Sequence, residues 1–296
     1  MIRVLSYNIL LGGTRRLDQL CAIMRASGAD VIGLVEATNP FVVEELARRL
    51  DMHWFLSGRA RHNRDWQIAV LSRLPILHTR VHTHPDLFTR RHVLEVQIEA
   101  PGGEPLTIFI AHLTSNFFRG RMSNQQRRRE VQMLLHLAEP YREAAHLLMG
   151  DFNSLAPGED FRGSALMRYL RYRAPHYKPG NSRAFFKHLL KKMLHISINN
   201  ELLAPLIDGL SRVYAQGGID LLYKAGYVDC YRYLHPDARG YTYHSAMPAA
   251  RIDYIFASPQ MASRLITCDI ITYGDGVEST EASDHLPVCA AFACPP

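Results

Sequence analysis

Apolar and polar positions switch between two periods along the chain, and the switch points mark its elements. Ile2 to Leu5 reads as a short buried strand that runs out into polar Asn8. LDQLCAIMRASGAD then sets Leu17, Leu20, Cys21 and Met24 at helical spacing and stops at Gly28. Val31 to Val35 is a second β-branched run ending at Glu36, and FVVEELARRL after Pro40 is a second amphipathic helix. Strand, helix, strand, helix predicts an α/β protein.

After residue 54 strand patterns follow one another: IAVLSR, VLEVQIE and LTIFIAHL, with PGGEP as the turn between the last two. A basic helix is expected over about 123–137, and then a strand, HLLMG, that delivers Asp151. RIDYIF, LITCDIIT and PVCAAFA give three more strands near the carboxyl end. The stretch 155–218 stands apart. It contains RAFFKHLLKKML, where Arg183, Lys187 and Lys191 repeat every four residues while Phe185, Phe186, Leu189, Leu190 and Met193 gather on the other side. One domain over 1–296 is expected, carrying a basic, mainly helical insert at about 155–218. Packing of the apolar stripe on the core is the favoured role for that helix. A grip on phosphates or on an anionic membrane surface is the other.

Composition narrows the function classes. The 296 residues are 47% hydrophobic and 21% charged, which suits a sizeable core and argues against a disordered tail or a disulfide mini-scaffold. A formal charge of +6 and a pI near 9.1 bias the chain toward anionic partners such as nucleic acid, nucleotides or acidic lipid surfaces. Cys21, Cys230, Cys268, Cys289 and Cys294 are odd in number and lack C-x-x-C spacing, so neither a disulfide framework nor a structural zinc site is expected. The amino terminus lacks the layout of a signal peptide and no apolar run is long enough to span a bilayer. A cytoplasmic protein without an obligate protein partner is the expectation.

Polar residues recur where strands end or loops begin: Asn8 in SYNI, Glu36 in LVEAT, His112 in IAHLTS, Asp151 with Asn153 in GDFNS, and Asp284 with His285 in SDHLPV. Arg251 and Asp253 sit within RIDYIF. Side chains alternate along extended backbone, so Asp151 and Asn153 are expected on one face, as are Arg251 and Asp253. Carboxylate and amide oxygens of this kind suit a hard divalent cation and a phosphate, with Glu36 the lead metal ligand. Other features receive plainer readings. His82, His84 and Asp86 form H-x-H-x-D without the second ligand motif that a dinuclear site needs, and read as a polar loop. Trp54 and Trp66 read as core or interface, and Arg127 to Arg129 as a solvated helix face.

In that order these motifs resemble the endonuclease/exonuclease/phosphatase superfamily, the metal-dependent phosphoesterases that include pancreatic-type deoxyribonuclease, abasic-site endonucleases, neutral sphingomyelinases and inositol polyphosphate phosphatases. The resemblance rests on SYNI, the glutamate of LVEAT, the histidine of AHL, GDFN, RIDY and SDH, and it spans the chain. It implies a deoxyribonuclease-like four-layer α/β sandwich, two mixed β-sheets face to face with helices outside, and a site along one rim of the sheets. It also implies Mg²⁺, with Mn²⁺ as a substitute, held by Glu36 with Asn8, Asp284 and Asp151. Asp151 would orient or deprotonate the attacking water and Asn153 hold the phosphate or nucleophile. His285, hydrogen-bonded to Asp253, would stay cationic, and His112 would assist the leaving group. Phosphate contacts fall to Asn8, Asn153, His112, His285 and Arg251.

Some positions depart from the family pattern. Abasic-site endonucleases have a tyrosine where His112 stands and a tryptophan where Ala250 stands, which turns the expectation away from abasic sites. The glutamate that partners the equivalent of His112 in pancreatic-type nucleases has only Asp65 in the matching neighbourhood. A Mg²⁺-dependent phosphodiesterase acting on nucleic acid is therefore expected. A phospholipid or inositol-phosphate phosphoesterase with the insert as lid or membrane contact is the second reading, and a catalytically inactive phosphate-binding relative the third.

Overall fold

The computed structural model describes residues 1–58, 67–83, 92–115, 121–172 and 204–294. The chain opens with strand β1 (Ile2–Asn8), helix α1 (Leu17–Ser27), β2 (Val31–Val35) and helix α2 (Pro40–Leu50), in the predicted order. Gly28 ends α1 in the left-handed conformation, with its N–H on the Arg25 carbonyl. Pro40 opens α2 where the backbone N–H would have no helical partner in any case. There follow β3 (His53–Leu56), β4 (Ile68–Ser72), β5 (Ile76–His82), β6 (Val93–Glu99), β7 (Pro105–His112), α3 (Arg121–Ala138), β8 (His146–Asp151) and α4 (Gly163–Tyr172). Helices Ala204–Ala215 and Ile219–Lys224 come next. Then come β9 (Val228–Asp229), β10 (Asp253–Ala257), β11 (Leu265–Ile270), the small hairpin β12 (Tyr273–Gly274) and β13 (Val277–Glu278), and β14 (Val288–Phe292).

Two six-stranded sheets result, ordered β11-β14-β1-β2-β4-β3 and β5-β6-β7-β8-β10-β9. Both are mixed, since β1 pairs with β2 and β7 with β8 in parallel while their other neighbours run antiparallel. Alternation along the strands builds four layers. Ile2 and Val4 of β1, Val31 and Val35 of β2, Ile108 and Ile110 of β7, and Leu147 and Met149 of β8 share the core between the sheets. Leu5, Tyr7, Ile32 and Leu34 point the other way, onto α1 and α2. Phe109, Leu148 and Phe256 meet Val131 and Leu134 of α3 on the far side of the second sheet. Both faces of the central strands are covered, which is why they read as unbroken apolar runs. Each fully buried Val, Leu or Ile contributes about 1.5–3 kcal/mol to this arrangement.

The two-residue strands β9, β12 and β13 are too short to show a period, and the longest strands that the pattern missed, β3 and β5, lie at sheet edges and have no buried position. Their polar positions carry no clear alternation because only one face and one side of each strand are covered. His82, at the end of β5, pairs with buried Glu95 of the neighbouring strand at 2.6 Å, a sheet contact. Trp54 is exposed on β3. Residues His84, Asp86, Asp65 and Trp66 lie outside the described residues, as does the basic helix expected at 183–194. Within 155–218, α4 docks to the helix Ala204–Ala215 through Ser164, whose N–H donates to Asp208 Oδ1 at 2.6 Å. Among the described residues no helix is long and apolar enough to cross a membrane.

The reading of Arg127 to Arg129 as one solvated face needs correction. Arg127 is fully buried, donating to Asn124 Oδ1 and the Thr114 carbonyl, while Arg128 pairs with Asp220 at the surface. Burial pushes the Arg127 guanidinium down to about 10. Its place is behind the exit of β7, with Gly217 packed against it.

Gly150 has a sharper role. Its φ is +139°, and a Cβ there would fall 1.9 Å from the Ala111 carbonyl oxygen. Gly150→Ala is expected to lower stability by about 2 kcal/mol or more, read from urea unfolding. An unchanged midpoint would show that β7 and β8 can separate at this point without loss.

Candidate active site

Strand register alone brings the first three polar residues together. On β8, Leu147 and Met149 face the opposite sheet, and Asp151 continues that inward row at its open end. The register sets Asp151 beside His112 of β7 on one side and Asp253 of β10 on the other. In the other sheet Asn8 extends the inward row of Ile2 and Val4, and its partner is Val35, the residue before Glu36. His285 arrives on the loop that leads into β14, the antiparallel neighbour of β1.

These side chains meet around the amide of Asn8. Its Nδ2 donates to Asp151 Oδ2 at 3.1 Å and to Glu36 Oε1 at 3.3 Å, and lies 3.4 Å from His285 Nε2. Asp151 Oδ2 also lies 3.4 Å from His112 Nε2 and 3.9 Å from His285 Nε2. His285 Nδ1 is hydrogen-bonded to Asp253 Oδ2 at 2.9 Å. Asn8, Asp151, His112, Asp253 and His285 are buried, whereas Glu36 is partly open to solvent. Solvent reaches the cluster at Glu36.

Backbone strain is concentrated at the same place. Glu36 has φ 59° and Asn153 φ 47°, both left-handed and neither a glycine. Such positions cost on the order of 1–3 kcal/mol each and persist where the surroundings hold them. Glu36 is held by the Leu11 N–H, which donates to Oε2 at 2.8 Å. Asn153 is held twice: its N–H donates to Asp151 Oδ1 at 2.9 Å and its Nδ2 to the Leu113 carbonyl at 3.0 Å.

The charges are coupled. Burial favours a neutral Asp151, yet the hydrogen bond from His112, the charges of His285 and His112 and the Asn153 N–H together bring its carboxyl down to about 2. Burial works against a charged His285, and the carboxylates of Asp253, Asp151 and Asp284 outweigh it, raising the imidazole well above its ordinary value. Asp253 is raised by burial and by Asp151, with His285 opposing. One proton is thus retained between His285 and Asp253 at neutral pH, and Asp151 stays ionised.

Donor chemistry fits a hard divalent cation. Glu36, Asp151 and Asp284 offer carboxylate oxygens, and Asp284 Oδ1 is buried without a hydrogen-bond partner. Asp284 lies close enough for its charge to act on His285 and Arg16. Asn8 takes part here as a donor, because its Oδ1 accepts from the Leu10 N–H at 3.0 Å. Ligation through its oxygen would require the amide to turn over. Asp151, Asp253 and His285 also bring three donor atoms within 4.8 Å of one another, but His285 Nδ1 is already engaged by Asp253.

Arg251 is the correction among the site residues. The strand begins only at Asp253, so alternation does not carry back to it. Its guanidinium binds Glu159 Oε1 at 2.5 Å and Asp229 Oδ2 at 2.7 Å, is 1% exposed, and lies over the Tyr254 ring, while Asp253 turns to His285. It has no surface to offer a phosphate.

Three supporting residues were not among the expected site residues. Thr242 Oγ1 accepts from the Asp253 N–H, Ser283 Oγ donates to the Asn8 carbonyl, and Arg16 caps the carbonyls of Ile9, Leu10 and Ala282 beside Glu36 and Asp284. Only Ser283, next to the SDH triplet's aspartate, could have been picked out by position.

No curated protein matches the chain. Among solved structures it is similar to an AP endonuclease from Archaeoglobus fulgidus, with 15% identity, TM-score 0.63, and 99% of this chain and 100% of that one covered. A 3' phosphatase, NExo, from Neisseria bound to a product DNA hairpin shares 19% identity at TM-score 0.64, covering 99% and 100%. D. rerio TDP2 complexed with a single-strand DNA product shares 16% at TM-score 0.62, covering 99% of each chain. These likenesses establish the two-sheet sandwich. The model of the Endonuclease/Exonuclease/phosphatase family matches residues 5–285, from the second half of β1 to His285 itself, and the chain belongs to that family as a hydrolytic phosphoesterase.

Proposed function

We propose that the protein is a Mg²⁺-dependent phosphodiesterase that hydrolyses nucleic acid by in-line attack of water. The observation that carries this reading is the convergence of Asn8, Glu36, His112, Asp151 and His285 within hydrogen-bonding reach, with Asp253 behind His285. The formal charge of +6 and the DNA products bound to two structural relatives support nucleic acid as the substrate.

Asp151 is the group we assign to the water. It is ionised, buried and fixed through both oxygens, so its carboxylate can orient a nucleophile and take a proton from it. His285 keeps its proton because Asp253 holds Nδ1, leaving Nε2 to donate toward the phosphoryl oxygens as negative charge builds there. One hydrogen of the Asn153 amide is engaged by Leu113, and the second is the one available to a phosphate. His112, across Asp151, faces the leaving-group side in this assignment. Glu36, Asp284 and Asp151 would hold the metal, joined by Asn8 once its amide has turned over, and the metal when bound supplies Lewis-acid polarisation of the phosphoryl oxygen.

A hydrolysis panel tests the proposal, with single- and double-stranded DNA, RNA, sphingomyelin, inositol phosphates and bis-p-nitrophenyl phosphate. Nucleic acid is expected to be cut with Mg²⁺ or Mn²⁺, and EDTA should remove the activity until metal is restored. Cleavage of sphingomyelin or inositol phosphates alone would move the substrate to the second class expected from sequence. Inertness toward the whole panel would leave a phosphate-binding relative.

A further inference from the structure

A row of aromatic rings leads away from His285 and ends on the insert. Tyr243 packs on His285 with ring centroids 4.8 Å apart, His244 follows at 5.4 Å from Tyr243, and Tyr169 of α4 follows at 4.9 Å from His244. The three interplanar angles, 45°, 51° and 59°, are all tilted, so no ring face is covered by parallel stacking on its neighbour in the row. Tyr243, His244 and Tyr169 are each part-exposed.

The row is rigidly mounted. The Tyr243 backbone exchanges hydrogen bonds with Ala250, just ahead of β10, and bridges to His285. Its side chain packs on a cluster made by Leu155, Phe161, Leu166 and Ile252. Leu166 anchors α4 to that cluster three residues before Tyr169, the spacing that puts both on one side of the helix. Arg162, just before α4, and Arg168, next to Tyr169 in the chain, are exposed cations on the same segment as the outer ring.

We infer that Tyr169, His244 and Tyr243 form a stacking platform for unpaired nucleobases next to the scissile phosphate, and that α4 brings its outer ring. The inference rests on the proposed nucleic-acid activity and names the form of substrate: a single-stranded segment. The physical case is that every base has a π-face, so a row of rings beside a phosphate-handling site holds a strand without reading its sequence, and nearby cations follow its backbone. A phosphorylated small molecule or a lipid headgroup would use the phosphate machinery and leave a row of this length without a role.

The test measures binding in EDTA, so that nothing is cleaved, of a short oligothymidylate and of a base-free deoxyribose phosphate chain of the same length and charge. Wild type should prefer the base-bearing strand roughly fivefold or more. Tyr169→Phe should keep that preference. Tyr169→Leu, which retains apolar bulk against His244, should lose most of it, with thermal melting confirming that both variants are folded. Equal binding of the two strands by wild type overturns the platform, as does a leucine variant indistinguishable from wild type. So does a loss on Tyr169→Leu confined to vesicles of phosphatidylserine and phosphatidylcholine, which would assign the rings to lipid. Hydrolysis of the same oligothymidylate with Mg²⁺ is scored separately: its absence counts against the proposed activity, while base-dependent binding still decides the platform.

Discussion

Asp151→Asn is expected to lower kcat/KM for phosphodiester hydrolysis roughly 10³-fold while the protein stays folded. At saturating Mg²⁺ the loss should fall on kcat, because the substitution removes the group assigned to the water and one charged oxygen from the proposed metal set while leaving the phosphate contacts in place. Asparagine is close to isosteric, and its single oxygen can still accept from the Asn153 N–H as Asp151 Oδ1 does now. Its amide would then face His112, which can answer by offering an unprotonated nitrogen, and Asn8 Nδ2, which loses this acceptor and keeps Glu36 Oε1. Steady-state kinetics with Mg²⁺ on an oligonucleotide, beside thermal melting of both proteins, reads the outcome. Cleavage at the wild-type rate would take Asp151 out of proton handling and shift attention to His112.

How much of this was readable beforehand depended on whether a residue's neighbours are set by strand register or by distant chain. β1, β2, β4, β6, β7, β8 and β14 were legible because burial on both faces writes an apolar run. The edge strands β3 and β5 were not, since a half-solvated strand tolerates His, Thr and Arg. Asn8, His112 and Asp151 were legible as polar ends of such runs. The register then supplies what sequence cannot, that Asp151 sits between His112 and Asp253. Arg251 misleads because the two-residue period does not hold upstream of a strand that starts at Asp253. Arg127 misled because a charge run on a helix usually faces water. Its partner Thr114 lies 13 positions away, on the loop after β7, and nothing local announces it. Tyr169 and His244 are farther apart still in sequence, and only the packing of α4 against the loop before β10 brings them together.

The second large effect concerns stability. Arg251→Met is expected to destabilise the fold by about 3–5 kcal/mol, read from urea unfolding, because it removes one partner from a buried charge cluster. Arg251 donates through Nη1 and Nη2 to Asp229, with contacts of 3.0 and 2.7 Å, and through Nη2 to Glu159. Burial opposes its charge, yet the carboxylates of Asp229 and Glu159 hold it protonated. Glu159 keeps Arg232 as a second partner, at 2.9 Å. Asp229 would be left with the Tyr223 hydroxyl and the Arg232 N–H, neither a full charge, at 4% exposure. Most of the loss should therefore come from Asp229, and Arg251→Met combined with Asp229→Asn should recover part of it. Arg251→Lys should restore less than the double substitution, since an ammonium cannot reproduce the fork across Asp229. The measurement also separates the two roles considered for this residue. A phosphate ligand would show itself as a raised KM with little change in stability. The buried cluster instead predicts a lower unfolding midpoint, with KM preserved in the folded enzyme because Asp253 and His285 keep their own contact.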